Sequence, residues 1–172
     1  MIEALQDFAG SFPTYIQWLA VMLVAAIPFV ESYFGAIIGV VIGLPPVVAV
    51  AAAVVGNVIS MLAFVMSASR VREKVVAGRR TTAGAGGVAI AEHEPVAQES
   101  ARRQKLRRAF DRFGVPGVSL LGQTILPSQI TSAAMVSFGA NRNTVIVWQI
   151  VSIILWGTVF GVLASLGVYI TR

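Results

Sequence analysis

The sequence predicts an all-α integral membrane protein made of two inverted repeats, each a re-entrant helical hairpin followed by a transmembrane helix. Three observations lead there. Of 172 residues, 56 % are hydrophobic and only 12 % are charged, against about 25 % charged in an ordinary soluble domain. The apolar residues gather in two blocks, 15–68 and 113–170, each far longer than the roughly 20 residues that cross a bilayer. Both blocks follow one order: a short apolar run, a polar tip with a proline, a second short run, a break, and one long apolar stretch.

Residues 1–69 form the first expected repeat. The opening MIEALQDFAGSFP has no basic leader and carries Glu3 and Asp7, unlike a cleavable signal peptide. The hairpin is placed at about 15–44. Its first arm runs to Pro28, its tip spans Pro28 to Ser32, and its second arm ends at Leu44-Pro45-Pro46. At about 1.5 Å per residue neither arm crosses a core of roughly 30 Å. Such a break is tolerated only against protein or a watery cavity. Residues 47–68 are long enough to span. The rival arrangement is four or more short full spans.

Residues 70–112 form the loop between the repeats. It holds eleven Lys or Arg against five Asp or Glu, and only Arg142 and Arg172 lie outside it among the basic residues. Basic flanks mark the cytoplasmic side, so both termini are expected outside. Residues 81–100 have the Gly-, Ala- and polar-rich composition of a flexible segment, with His93 as solvated filler. Residues 101–113 read as an amphipathic helix. Leu106, Ala109, Phe110 and Phe113 make its apolar stripe. Arg102, Arg103, Lys105, Arg107 and Arg108 make a basic face for the membrane surface.

Residues 113–172 form the second repeat. The hairpin is placed at about 115–140 with its break at Pro127, and the span at about 144–169 after Asn141-Arg142-Asn143. Inverted repeats with broken helices meeting at mid-membrane are a recurrent transporter plan.

Glu31 is the only acidic residue inside either block. An intramembrane carboxylate usually faces protein or a water-filled path, and burial favours its neutral form, so Glu31 is the expected proton-coupling group. Solvation at the interface is the alternative. The second tip offers Gln123, Thr124, Ser128, Gln129, Thr131 and Ser132 for a polar headgroup or for the broken backbone. Asn57 with Ser60, and Gln149 with Ser152, lie one turn apart on the two spans. They fit interhelical hydrogen bonds or a substrate path. Stripes of small residues (Gly35, Gly39, Gly43; Ala52, Gly56, Ser60; Gly157, Gly161, Ser165) fit close helix packing, within one chain or in a homodimer. Trp18 and Trp148 fall near expected interfaces.

Several chemistries find no residues. There is no cysteine, no phosphate-binding glycine loop, no serine triad and no His/Asp/Glu cluster for a metal. No enzymatic activity, metal or cofactor is expected, and the position of the positive charge argues for lipid rather than nucleic acid.

AIPFVESYFGAIIGVVIGLPP, the FDRFG at 110–114 and GQTILPSQITSAAMVSFGA resemble the small multidrug export protein family, itself distantly similar to the DedA membrane proteins. The similarity covers roughly 15–68 and 106–168. It implies facing re-entrant hairpins, frequent dimers, and movement of lipids or lipid phosphates across a membrane. It also implies an essential acidic residue in the first hairpin, matched by Glu31. The family's second hairpin carries arginines around its proline. Here Gln123, Ser128 and Gln129 surround Pro127 instead. The expected function is a DedA-like secondary transporter or lipid translocase, proton-coupled through Glu31, in the bacterial inner membrane. Membrane lipids, a second copy or a larger membrane complex are its expected partners. The alternative is a non-transporting accessory or structural subunit of such a complex. A channel is a third reading.

Overall fold

The computed structural model describes the backbone of residues 2–84, 101–122 and 126–171, and the side chains of 2–73, 104–122 and 126–170. Every element among them is helical: α1 Ile2–Gly10, a 3₁₀ turn Thr14–Ile16 running into α2 Gln17–Ala25, α3 Glu31–Val41, α4 Pro46–Gly84, α5 Ala101–Gly122, α6 Ser128–Phe138 and α7 Arg142–Thr171. His93 lies outside the described residues.

Two helices are long and apolar enough to cross a bilayer, Pro46–Glu73 of α4 with 28 residues and Arg142–Ile170 of α7 with 29. Each reaches about 42 Å, more than a hydrocarbon core of roughly 30 Å. Only 33 % of each apolar window is buried inside the protein. The outward faces carry Val55 and Ile59 on α4, and Ile154, Leu155 and Val162 on α7, all exposed. Water does not suit such faces, and lipid does. The chain is a membrane protein.

The segment before α2 went without an element in the sequence reading, and it is helical. α1 buries Ala9 against a cluster with Ala20, Val24, Val30 and Ile38. The chain then bends by 116° between α1 and the helix that starts at Thr14. Gln17 secures that bend, its Nε2 donating to the carbonyl of Phe12 at 3.2 Å.

α3 is the centre of the assembly. It packs against α2, α4 and α7, while α6 packs against α4, α5 and α7. The α2–α3–α4 contact is made of small side chains: Val21, Ala25, Ala36, Ala49, Ala52 and Ala53. Glycines bring the backbones together there. A Cβ on Gly35 would stand 2.6 Å from that of Ala25, and one on Gly39 would stand 2.6 Å from that of Ala49. A Cβ on Gly56 would fall on the main-chain carbonyl of Met22, and one on Gly161 on Val50. Gly35, Gly39, Gly56 and Gly161 therefore seat helices within one chain, whereas a Cβ on Gly43 would meet nothing within 4 Å.

α3 and α6 have eleven residues each and stop in the same way. Gly43 and Gly139 have φ of 98° and 110°. The amides of Leu44 and Ala140 reach back to the carbonyls of Gly39 and Met135, both at 3.0 Å. This capping satisfies terminal carbonyls and requires a left-handed residue, which glycine adopts freely. α4 then opens on Pro46, where a missing N–H costs nothing. α7 opens on Asn141, whose Oδ1 accepts from the amides of Asn143 (2.9 Å) and Thr144 (3.3 Å).

α5 is two arms. Gly114, with φ 64° and ψ −169°, breaks it, leaving arms over 101–113 and 115–122. Pro116 then sits in the first turn of the second arm, where proline is tolerated. The apolar stripe of the first arm is covered in part by other helices. Leu106 is buried in a core cluster with Met61, Val65, Met135 and Val145. The Phe110 and Phe138 rings lie 6.0 Å apart, and the Arg107 guanidinium lies 5.9 Å from the Phe138 ring. Leu106 is thus buried, Ala109 and Phe110 are half-buried, and Phe113 is exposed. An amphipathic pattern reports that one face avoids water and is silent on what covers it.

Candidate functional site

α2 ends at Ala25 and α3 begins at Glu31, so residues 26–30 make a tight tip around Pro28. Its backbone is strained. Phe29 and Glu31 have φ of 75° and 59°, a region that costs a non-glycine residue roughly 1–2 kcal/mol. Such strain persists only where the surroundings hold it. The outcome is a Glu31 side chain turned into the protein with 0 % exposure. Solvation at an interface is thereby ruled out for it.

The carboxylate meets the other break in the chain. Pro127 precedes α6, and the first amide of a helix has no partner of its own. Here the backbone N–H of Ser128 donates to Glu31 Oε1 at 2.8 Å. Asn57 of α4 donates from Nδ2 to Oε2, also at 2.8 Å. Each carboxylate oxygen therefore has an N–H donor, and the positive end of the α6 dipole faces the charge. Asn57 then hands the network on. Its Oδ1 accepts from Ser128 Oγ at 3.2 Å and from Gln129 Nε2 at 3.0 Å. Gln129 Nε2 also reaches Ser60 Oγ at 3.4 Å. Gln129 Oε1 is buried with no hydrogen-bond partner. Asn57, Ser128 and Gln129 are, like Glu31, fully buried.

The remaining residues singled out from sequence are distributed around this cluster. Thr131 and Ser132 are buried, and their hydroxyls donate to the nearby carbonyls of Leu126 (3.4 Å) and Gln129 (3.0 Å). They serve the backbone of the second tip. Gln149 is buried on α7, four residues before Ile153. Pro28 and Pro127 stand at the two breaks. Gln123 and Thr124 lie outside the described residues, as do the side chains of Arg102 and Arg103. Lys105, Arg107 and Arg108 are exposed on the first arm of α5.

Two residues escaped the sequence reading. Ser32 donates from Oγ to the Ile153 carbonyl of α7 at 2.9 Å, so the first tip is tied to α7 as the second is tied to α4. Trp156 donates from Nε1 to the Leu120 carbonyl at 2.9 Å, one turn beyond Ser152, which donates to the Ser119 carbonyl at 2.7 Å. Both reach main-chain carbonyls of the second arm of α5 and tie it to α7. The four-residue spacing of Ser152 and Trp156 was a legible signal, because it puts two donors on one face of α7.

The arrangement can hold one negative charge out of water and can exchange a proton on it. Among the described residues, no group of three His, Asp or Glu is placed to hold a metal ion. The chain matches no family model, no curated protein and no solved structure.

Proposed function

We propose that this chain is a DedA-like secondary transporter or lipid translocase of the bacterial inner membrane, proton-coupled through Glu31. Its two halves would be inverted repeats of a re-entrant hairpin and a span, with the basic loop cytoplasmic and the termini outside. The observation that carries this reading is the Glu31–Ser128 contact, which joins the two breaks of the chain through one buried carboxylate. Supporting it, α3 and α6 have equal length, each follows a proline tip, each ends on a left-handed glycine, and each leads into a long apolar helix.

The hydrogen bonds suggest how a proton would act. The Ser128 amide can only donate, so Glu31 Oε1 stays an acceptor in every state. A proton on Oε2 would oppose the Asn57 NH₂ group. Turning the Asn57 amide over lets its Oδ1 accept that O–H. Its Nδ2 would then face Gln129, whose amide can turn likewise and accept through Oε1, the atom now without a partner. The cluster thus has one consistent pattern for the carboxylate and another for the acid. Neutralising Glu31 also removes its attraction to the α6 N-terminus, up to about 2 kcal/mol. Inverting a two-state population from 1:99 takes about 5.5 kcal/mol. The proton would therefore bias the opening of the tips, and substrate binding would complete it.

A single reporter tests this. The chain has no cysteine, and Thr131 is buried beside the cluster but outside the relay. In Thr131→Cys, a membrane-impermeant maleimide applied to oriented vesicles should label from one face, and its rate divided by that of a free thiol at the same pH, since only the thiolate reacts, should rise as pH falls. Adding Glu31→Gln should leave that ratio at one level at every pH. A ratio that ignores pH, or a pH response of the ratio that survives Glu31→Gln, would sink the proton-coupled reading. Movement of ethidium and of a headgroup-labelled phospholipid in proteoliposomes under a pH gradient then separates the two substrate classes.

A further inference from the structure

The two arms of α5, with Phe29 of the first tip and Leu126 of the second, enclose a groove of about 670 Å³. That is the size of a small-molecule site. Its walls are apolar, with Val118, Leu121 and Phe113 prominent, and among the described residues Lys105 is its one charged lining residue. Phe29, Phe113 and Leu121 are 58 %, 52 % and 61 % exposed, so the groove opens outward. Gly122 keeps the floor low without any packing reason. A Cβ there would meet only ordinary contacts, Thr131 and Val118 at 3.5 Å, and its φ is not in the left-handed region.

We propose that this groove is the site of a resident anionic phospholipid, with an acyl chain along the apolar walls and its phosphate at Lys105. Charge complementarity selects the occupant. Lys105, Arg108 and Arg112 fall at helical spacings of three and four on the first arm, beside the groove-lining Ala109 and Phe113. Among the described lining residues positive charge thus stands only on the first arm, beside otherwise apolar walls, the pattern of an anionic head on an apolar tail. None of the lining residues belongs to the Glu31–Asn57–Ser128–Gln129 network, so the lipid is a brace for the kinked α5 and is not cargo. It touches both tips through Phe29 and Leu126, and its loss would slacken their meeting. This proposal holds whether or not Glu31 couples to protons.

The test is lipid retention. Protein purified from mixed phosphatidylglycerol and phosphatidylcholine micelles is examined by native mass spectrometry. One phosphatidylglycerol should remain bound, with phosphatidylcholine displaced. Lys105→Gln should weaken retention roughly fivefold, the loss of one cation at a lipid surface. Ala109→Trp and, separately, Leu121→Trp should abolish it by filling the trough. Leu121 is exposed, so its replacement leaves the core intact, and thermal unfolding without lipid checks that. Equal retention of both lipids, or full retention in the Leu121→Trp protein, would overturn the proposal in favour of nonspecific annular lipid. Retention of another protein chain in place of lipid would overturn it too. The labelling response of Thr131→Cys to pH is a separate readout, so failure of one proposal is distinguishable from failure of the other.

Discussion

The region around α2 and α3 and the region around α5 and α6 each bring a proline break toward the middle of the protein, and they are held there by different forces. The first is seated by close backbone approach. Gly35, Gly39, Gly56 and Gly161 all meet α2, α3 or α4 where no side chain fits, and the core there is alanine and valine. The second is seated by larger side chains, Met61, Met135, Leu106 and Ile153, and by donors from α7 to the end of α5. The tips differ in the same sense. The first carries the charge and the strained backbone. The second is uncharged, with Pro127 in an unstrained extended conformation at φ −55° and ψ 144°. A rigid seat can hold a strained carboxylate, and a hydrogen-bonded seat can be released.

The sharpest way to break the contrast is at the shared hinge. Asn57→Leu removes the donor to Glu31 and the acceptor for Ser128 and Gln129 together. A buried charge losing its partner costs about 3 kcal/mol, so unfolding in detergent should occur well below the parent temperature. Combining it with Glu31→Leu should recover much of the loss, because the stranded charge is then gone. A full additive loss would show that Asn57 acts through packing instead.

Gly56→Ala comes next. Its Cβ would fall on a backbone carbonyl that cannot swing aside, and overpacking of this kind costs about 2 kcal/mol. Gly122→Ala, in the looser region, should stay within roughly 0.5 kcal/mol. Equal effects at the two glycines would erase the distinction between the seats. Trp156→Phe should be milder, about 1 kcal/mol for a lost hydrogen bond to the Leu120 carbonyl. Chymotryptic cleavage after Leu120 and Leu121 should rise with it, and unchanged cleavage would mean the indole does not fasten that arm. Last, Phe29→Gly relieves one left-handed residue and should raise the unfolding temperature by the equivalent of about 1 kcal/mol. A fall would mean that the Phe29 ring contributes more than the strain removes.

Much of the helical order was legible because Pro, Gly and apolar runs act locally. Pro28, Pro45, Pro46 and Pro127 delimit helices by steric rules that need no partner. The last two stops, at Gly43 and Gly139, follow from the freedom of glycine to turn left-handed. α1 escaped because its apolar face is short, Leu5 and Ala9, and its buried surface depends on Ile38 and Val30 from elsewhere. The amphipathic stripe at 106–113 was legible as a stripe, but what covers Leu106 was not, because that surface is on other helices. Glu31 stood out as one carboxylate in an apolar block. Asn57, Ser128 and Gln129 were named as polar candidates, but nothing in their spacing along the chain tied them to Glu31. Ser32, beside it, hid among the small polar residues that any tip contains.

By itself the sequence determined that this is a helical membrane protein, because an excess of apolar residues in long runs has one stable solvent, and backbone in lipid must bond within its own helix. It also marked the breaks at Pro28, Pro45-Pro46 and Pro127 and the one carboxylate in the apolar blocks. The tertiary structure alone decided what that carboxylate touches. Glu31 and Ser128 are separated by 97 residues, and only the packing of α3 and α6 against α4 brings a buried charge to the one helix end whose free N–H can stabilise it.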